Sequence, residues 1–108
     1  MFAKITRMFI YNVTIKVEHT IHQAWVQWMK ARHIPDVMAT GCFTHYQFVR
    51  LLETDETEGV TYAAQYYAAT KADYNRYLEL HAPALRQDSF NAWGNSFVGF
   101  RSLMQVVN

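Results

Sequence analysis

From Phe9 the chain alternates. Phe9, Tyr11, Val13, Ile15 and Val17 fall on one side, and Met8, Ile10, Asn12, Thr14 and Lys16 on the other. A period of two, rich in β-branched and aromatic residues, predicts a strand. The period then lengthens: Ile21, Ala24, Trp25, Trp28, Met29 and Arg32 recur about every 3.6 residues, and Thr20 with Gln23 reads as a capping box in front of them. Pro35 is expected to end this helix with Ile34 extended, and to open a short second helix that stops at Gly41. Phe43 to Glu53 and Val60 to Ala69 read as strands joined by the polar stretch Thr54 to Gly59, which predicts an antiparallel hairpin. Thr70 with Asp73 forms a second capping box, opening a helix with Tyr74, Tyr77, Leu78 and His81 on one face. Pro83 breaks that helix and starts another segment, aligning Leu85, Ser89, Ala92 and Trp93 up to a stop at Gly94. Phe97 to Val107 reads as the last strand.

The order is β-α-β-β-α-β. It specifies an α+β, ferredoxin-like sandwich: a four-stranded antiparallel sheet with helices on one face. Regular patterning begins at Met8, so residues 8–108 are expected to form one domain and residues 1–7 an N-terminal extension. A sheet backed by helices on one side should alternate apolar and polar positions. Here the second positions are apolar too: Met8 and Ile10 on the first strand, Phe43, Val49 and Leu51 opposing Tyr46, Phe48 and Leu52 on the second, and Phe97 and Leu103 opposing Val98, Phe100, Met104 and Val106 on the last. One sheet face is left over once the helices are seated, and a homodimer with two sheets face to face is expected to cover it.

Composition narrows the function classes. The chain has 108 residues, 51% hydrophobic, with three Trp, seven Tyr and seven Phe. That is enough apolar surface for one core and too much for disorder. A net charge of +1, with the basic residues dispersed, offers no field for nucleic acid or an anionic membrane. No apolar run approaches the roughly 18 residues of a membrane span and no leader pattern stands at the start, so a cytoplasmic protein is expected. The single cysteine, Cys42, has no CxxC spacing, and it reads as a small buried hydrophobe rather than a nucleophile or zinc ligand.

With the segments in place, the chain resembles a bacterial family of about a hundred residues known only as a domain of unknown function. The residues that carry this are Ile10-Tyr11-Asn12-Val13-Thr14, the block from Trp25 and Trp28-Met29 through His33-Ile34-Pro35 to Val37-Met38-Ala39-Thr40-Gly41, and Gly59-Val60-Thr61-Tyr62. Gln65-Tyr66, Ala82-Pro83 with Leu85-Arg86, and Phe97-Val98 with Phe100-Arg101 continue it. The architecture is similar to the dimeric α/β-barrel superfamily, which includes antibiotic-biosynthesis and haem-degrading monooxygenases. That resemblance implies a dimer and a cleft between helices and sheet. The haem-degrading members use an Asn on the first strand, a Trp on the second helix and a downstream His as axial ligand. Asn12 occupies a comparable place, but Tyr77 and Gln87 stand near the other two, so no haem and no other cofactor is expected.

The residues themselves offer several candidates. His33, directly before Ile34-Pro35, is either a general base or a side chain meeting the helix's last carbonyls. His81, before Pro83, is either a second proton carrier or a buried ring bonded to backbone at the break. His19 and His22 lack a third partner for a metal, and no metal site is expected. Asn12, Arg50, Gln65 and Arg101 are polar positions in apolar strands, either lining a pocket for an anionic or carbonyl-bearing ligand or forming a polar network at the dimer seam. Their faces depend on the hairpin register, because a slip of one residue reverses every side chain. The expected function is small-molecule binding in a cleft between sheet and helices, within a dimer. The alternative is a cofactor-independent monooxygenase or isomerase of the antibiotic-biosynthesis type.

Overall fold

The first alternating stretch becomes strand β1, Phe9–Val17. The computed structural model describes residues 7–108, so all but Arg7 of the expected N-terminal extension lies outside the described residues. After β1 come helix α1 (His22–Trp28), a π-helical turn (Met29–His33) and helix α2 (Ile34–Ala39). Strands β2 (His45–Arg50) and β3 (Val60–Ala68), helices α3 (Lys71–Leu80) and α4 (Ala82–Trp93), and strand β4 (Phe97–Gln105) complete the chain. Every strand pair is antiparallel and the sheet order is β2-β3-β1-β4. This is the ferredoxin-like βαββαβ arrangement, and the sheet of the single chain is open rather than closed into a barrel.

Two local expectations are corrected between residues 20 and 40. Thr20 does not cap the first helix: Ile21 holds the cap position and no side chain bonds there, because His19 to Ile21 form a turn of their own. Pro35 does not end the helix, and Ile34 is helical, at φ −62° and ψ −45°, rather than extended. A proline inside a helix lacks a donor and crowds the carbonyl four residues back. Here the ladder widens by one residue just before it, and the Ile34 N–H donates to the Met29 carbonyl in a π-type bond. Burial of Ile34 and Val37 in the core favours continuing the helix. Gly41 then stops it at φ 74°, a conformation open to glycine without a Cβ penalty.

The second half follows its sequence signals more closely. Thr70 caps α3, its hydroxyl accepting from the Asp73 N–H at 3.1 Å while donating to the Asp73 carboxylate at 2.8 Å. Pro83 sits in the first turn of α4, where its missing N–H is not needed. Strand β2 is shorter than expected because Phe43 leaves the strand path to fill the core.

Register fixes the two faces. Tyr11, Val13, Ile15 and Val17 of β1 lie beside Tyr66, Ala64, Tyr62 and Val60 of β3 and beside Leu103, Arg101, Gly99 and Phe97 of β4. The strand residues of the core all come from this side, packed under Trp25, Met29, Ile34, Val37 and Tyr77 of the helices. Aromatic rings fill much of it: Tyr11 lies 5.4–6.2 Å, centroid to centroid, from Phe43, Tyr66, Tyr74 and Tyr77, and Trp25 contacts Phe48 and Tyr62. The other face carries no helix. On it Val98 and Phe100 are 68% and 64% exposed.

Candidate functional site

On the helix-covered side, β1 and β4 separate from α1, the π turn and α4 to leave a cleft of about 110 Å³. Its apolar wall is Val13, Ile15, Trp25, Met29 and Phe97, with Tyr11, His33, Arg86, Ser89 and Arg101 as the polar groups. Gly99 opens it from the strand side, because no side chain there fills the space opposite Ile15. Three other hollows are more open surface depressions, at the end of the sheet near Glu58, on the outside of α1, and beside β2.

His33 reaches this cleft from the side of the helix that also carries Trp25 and Met29, each four residues from the next. The widened turn sets its ring against Trp28, five residues back, at 5.0 Å. Its Nδ1 is sealed from solvent and has no hydrogen-bond partner. Nε2 is therefore the nitrogen that can meet a ligand. Burial pushes the imidazole below its ordinary pKa, and the nearby carboxylates of Asp88 and Asp36 only partly oppose this. His33 is a neutral imidazole at pH about 7.

Two arginines stand at the cleft mouth, both exposed. Arg86, from α4, donates to the Tyr11 hydroxyl at 3.5 Å. Arg101, from β4, stands opposite Val13. Arg32, Arg50 and Arg76 pair with Asp88, Glu56 and Asp73 at 2.8, 3.0 and 3.1 Å. Among the described residues neither Arg86 nor Arg101 meets a carboxylate, and no Asp or Glu lines the cleft.

The remaining candidates are placed elsewhere. Asn12 is buried on the helix-free face, its Nδ2 donating to the Thr14 hydroxyl at 3.0 Å. Gln65 stands directly beside it, and the register extends the row to Gln47 on β2 and Ser102 on β4. These four residues form a polar line across an otherwise apolar face. Arg50 is at the exposed end of β2, held by both oxygens of Glu56. Of Asn12, Arg50, Gln65 and Arg101, then, only Arg101 joins His33. His81 sits at the α3–α4 junction beside Tyr77, outside the cleft lining. His19 bonds to the Glu56 carbonyl and His22 to the Tyr62 hydroxyl, each at 2.6 Å, and the described residues contain no metal-holding cluster. Cys42 is buried, its thiol against the Thr40 carbonyl.

Arg86 and Ser89 were not singled out as site residues by the sequence pattern. Their signal was on α4, where Ala82, Leu85, Arg86, Ser89 and Trp93 recur at helical spacing and Arg86 is a cation on the apolar side.

A ferredoxin-like α+β domain with a cleft between its sheet and helices is thus the class of protein this chain defines. It belongs to the family described as Domain of unknown function (DUF4286), whose model matches residues 8–107. Among solved structures, it is similar to a DABB family protein with a ferredoxin-like fold from Mesorhizobium loti, at 16% identity and TM-score 0.63 over 94% of this chain and 97% of that one. A dimeric ferredoxin-like protein from an uncultured marine organism matches at 11% identity and TM-score 0.62, over 94% and 97%. SnoaB, a cofactor-independent oxygenase from Streptomyces nogalater, matches in a mutant form at 15% identity and TM-score 0.63, over 93% and 94%. No curated protein matches the chain in sequence. At these identities the likeness is one of fold.

Proposed function

We propose that this protein binds a small molecule in the cleft between its sheet and helices, as one half of a homodimer whose sheets meet by their helix-free faces. The observation that carries the binding reading is the wall of the cleft. Apolar side chains surround one neutral imidazole and two arginines at the mouth that face no carboxylate among the described residues. A mostly apolar concavity with a few convergent polar groups is the usual form of a ligand site. The dimer reading is supported by Val98, Phe100 and Met104 standing exposed on the helix-free face, and by a fold neighbour described as dimeric.

Gly99 supplies the test of binding. A Cβ added there meets the Thr14 carbonyl oxygen at 3.4 Å and Ile15 Cγ1 at 3.5 Å, so a side chain is tolerated on the strand and extends into the cleft. Millimolar benzamide should raise the thermal midpoint of the wild-type chain, as any ligand selective for the folded state does. Gly99→Leu should fold and lose that response. An equal shift in both would overturn this location.

A second reading is favoured by one observation, that His33 is kept neutral inside the cleft. A neutral imidazole can take a proton from carbon next to a ligand carbonyl, leaving an enolate whose charge faces Arg86 and Arg101. One fold neighbour is described as a cofactor-independent oxygenase. Deuterium wash-in at the α-carbon of phenylacetone in D₂O, above the buffer rate and lost in His33→Gln, is the expected result. No excess over buffer would leave the protein a binder only.

A further inference from the structure

We propose that the ligand of this cleft is a small apolar carboxylic acid, seated with its ring or chain on the apolar floor and its carboxylate held at the mouth by Arg86 and Arg101. The inference rests on the binding reading above and narrows it to a chemical class.

Three observations support it. First, the two guanidinium groups come from different elements, α4 and β4, yet line one cleft, and both favour the ionised form of the nearby Tyr77 hydroxyl. They therefore act on the same region of space. Secondly, that positive charge is uncompensated within the cleft: none of its lining residues is acidic, and Asp88, the nearest carboxylate on α4, is bonded to Arg32. A planar guanidinium fork matches a carboxylate in shape as well as charge, and two of them can hold its oxygens from two sides. Thirdly, polarity is graded along the cleft. Trp25 and Met29 are each 2% exposed, Tyr11 and Ile15 are buried, and the arginines are at the solvent edge. An amphiphile with an apolar body and an anionic head reproduces that gradient in reverse.

Volume limits the body. An apolar cavity of about 150 Å³ holds benzene, and the cleft here is about 110 Å³. Being smaller and open, it encloses a short branched chain or the inner part of one ring, with the rest of the ligand and its head group at the mouth. Because the mouth is wet, the charged contact should weaken as salt rises.

The test is a titration of the full chain with benzoate and with benzamide, its neutral isostere, followed by the Trp25 indole N–H resonance at low ionic strength. Benzoate should bind at least about tenfold more tightly than benzamide, the ratio expected from one or two charge-assisted hydrogen bonds. Arg86→Gln and Arg101→Gln should each reduce that preference, weakening benzoate more than benzamide, and 0.5 M NaCl should reduce it too. Arg50→Gln, in an ion pair away from the cleft, should retain the preference. Equal affinity for benzoate and benzamide would overturn the carboxylate assignment and leave the binding reading standing. Failure of both compounds to move Trp25 would overturn both. Tighter binding of phenyl phosphate than of benzoate, or loss of preference only in Arg50→Gln, would also refute the assignment.

Discussion

At the scale of single residues, the chemistry of the cleft depends on His33. Its imidazole is pushed below the ordinary 6.5 by burial, so the folded chain refuses a proton that the unfolded chain accepts. Stability therefore falls as pH drops through the unfolded value of 6.5 and below it. The shifted carboxylate is Asp55, held low by two bonds from Thr57, and its contribution is lost only below its ordinary 3.8. Thermal midpoints at fixed protein concentration should be lower at pH 5.5 than at pH 7.5, and His33→Gln should narrow the gap. A gap of equal size in the variant would show that His33 titrates normally. The sequence made His33 visible as a candidate, but expected it at a helix end. Its spacing of four from Met29 and eight from Trp25 already places it on their side of a helix, whereas the π turn that sets its ring on Trp28 has no signature in hydrophobic spacing.

At the scale of elements, legibility tracks how local the determining physics is. Strand β1 came through residue for residue because alternation from Phe9 to Val17 is a local property. The α3 cap at Thr70 did too, since both partners lie within four residues. The Thr20 cap did not, because His19 to Ile21 form a turn of their own, and the extended Ile34 did not, because packing of Ile34 and Val37 in the core outweighs the local preference. Register was out of reach entirely. It decides that Asn12 and Gln65 share the helix-free face while Arg101 faces the cleft, and it is set by contacts between strands far apart in sequence. Gly59 is part of that setting. A Cβ there would lie 2.2 Å from the Val17 carbonyl oxygen, so the hairpin enters β3 only by passing close against the end of β1. Gly59→Ala should cost about 2 kcal/mol of stability, in the range of mutations that force backbone apart. Chemical denaturation checks this, and a midpoint equal to wild type would mean the two strand ends part freely.

At the scale of the whole molecule, the surplus of aromatic residues divides unevenly. Most rings pack beneath the helices, where Tyr11, Phe43, Tyr66 and Tyr77 form one continuous cluster. The helix-free face holds Tyr67 and Phe100 with Ile10, Ala63, Val98 and Met104, crossed by the polar row Gln47, Gln65, Asn12 and Ser102. A face of this kind suits a second copy. Its apolar positions supply the burial, while amides brought together across a two-fold axis favour one alignment over others. Phe100→Glu should convert a species near twice 12.7 kDa into one near 12.7 kDa in sedimentation, with an unchanged far-ultraviolet spectrum. An unshifted dimer would place the interface elsewhere.

The proposed function turns on the cleft around His33 receiving a ligand. The most direct measurement is the nuclear magnetic resonance spectrum of ¹⁵N-labelled histidine side chains during addition of benzamide. A saturable shift of the His33 imidazole nitrogens is expected, greatest at Nε2, with His81 unmoved. A His33 signal that stays in place at saturating benzamide, or a shift shared equally by all five histidines, would contradict it.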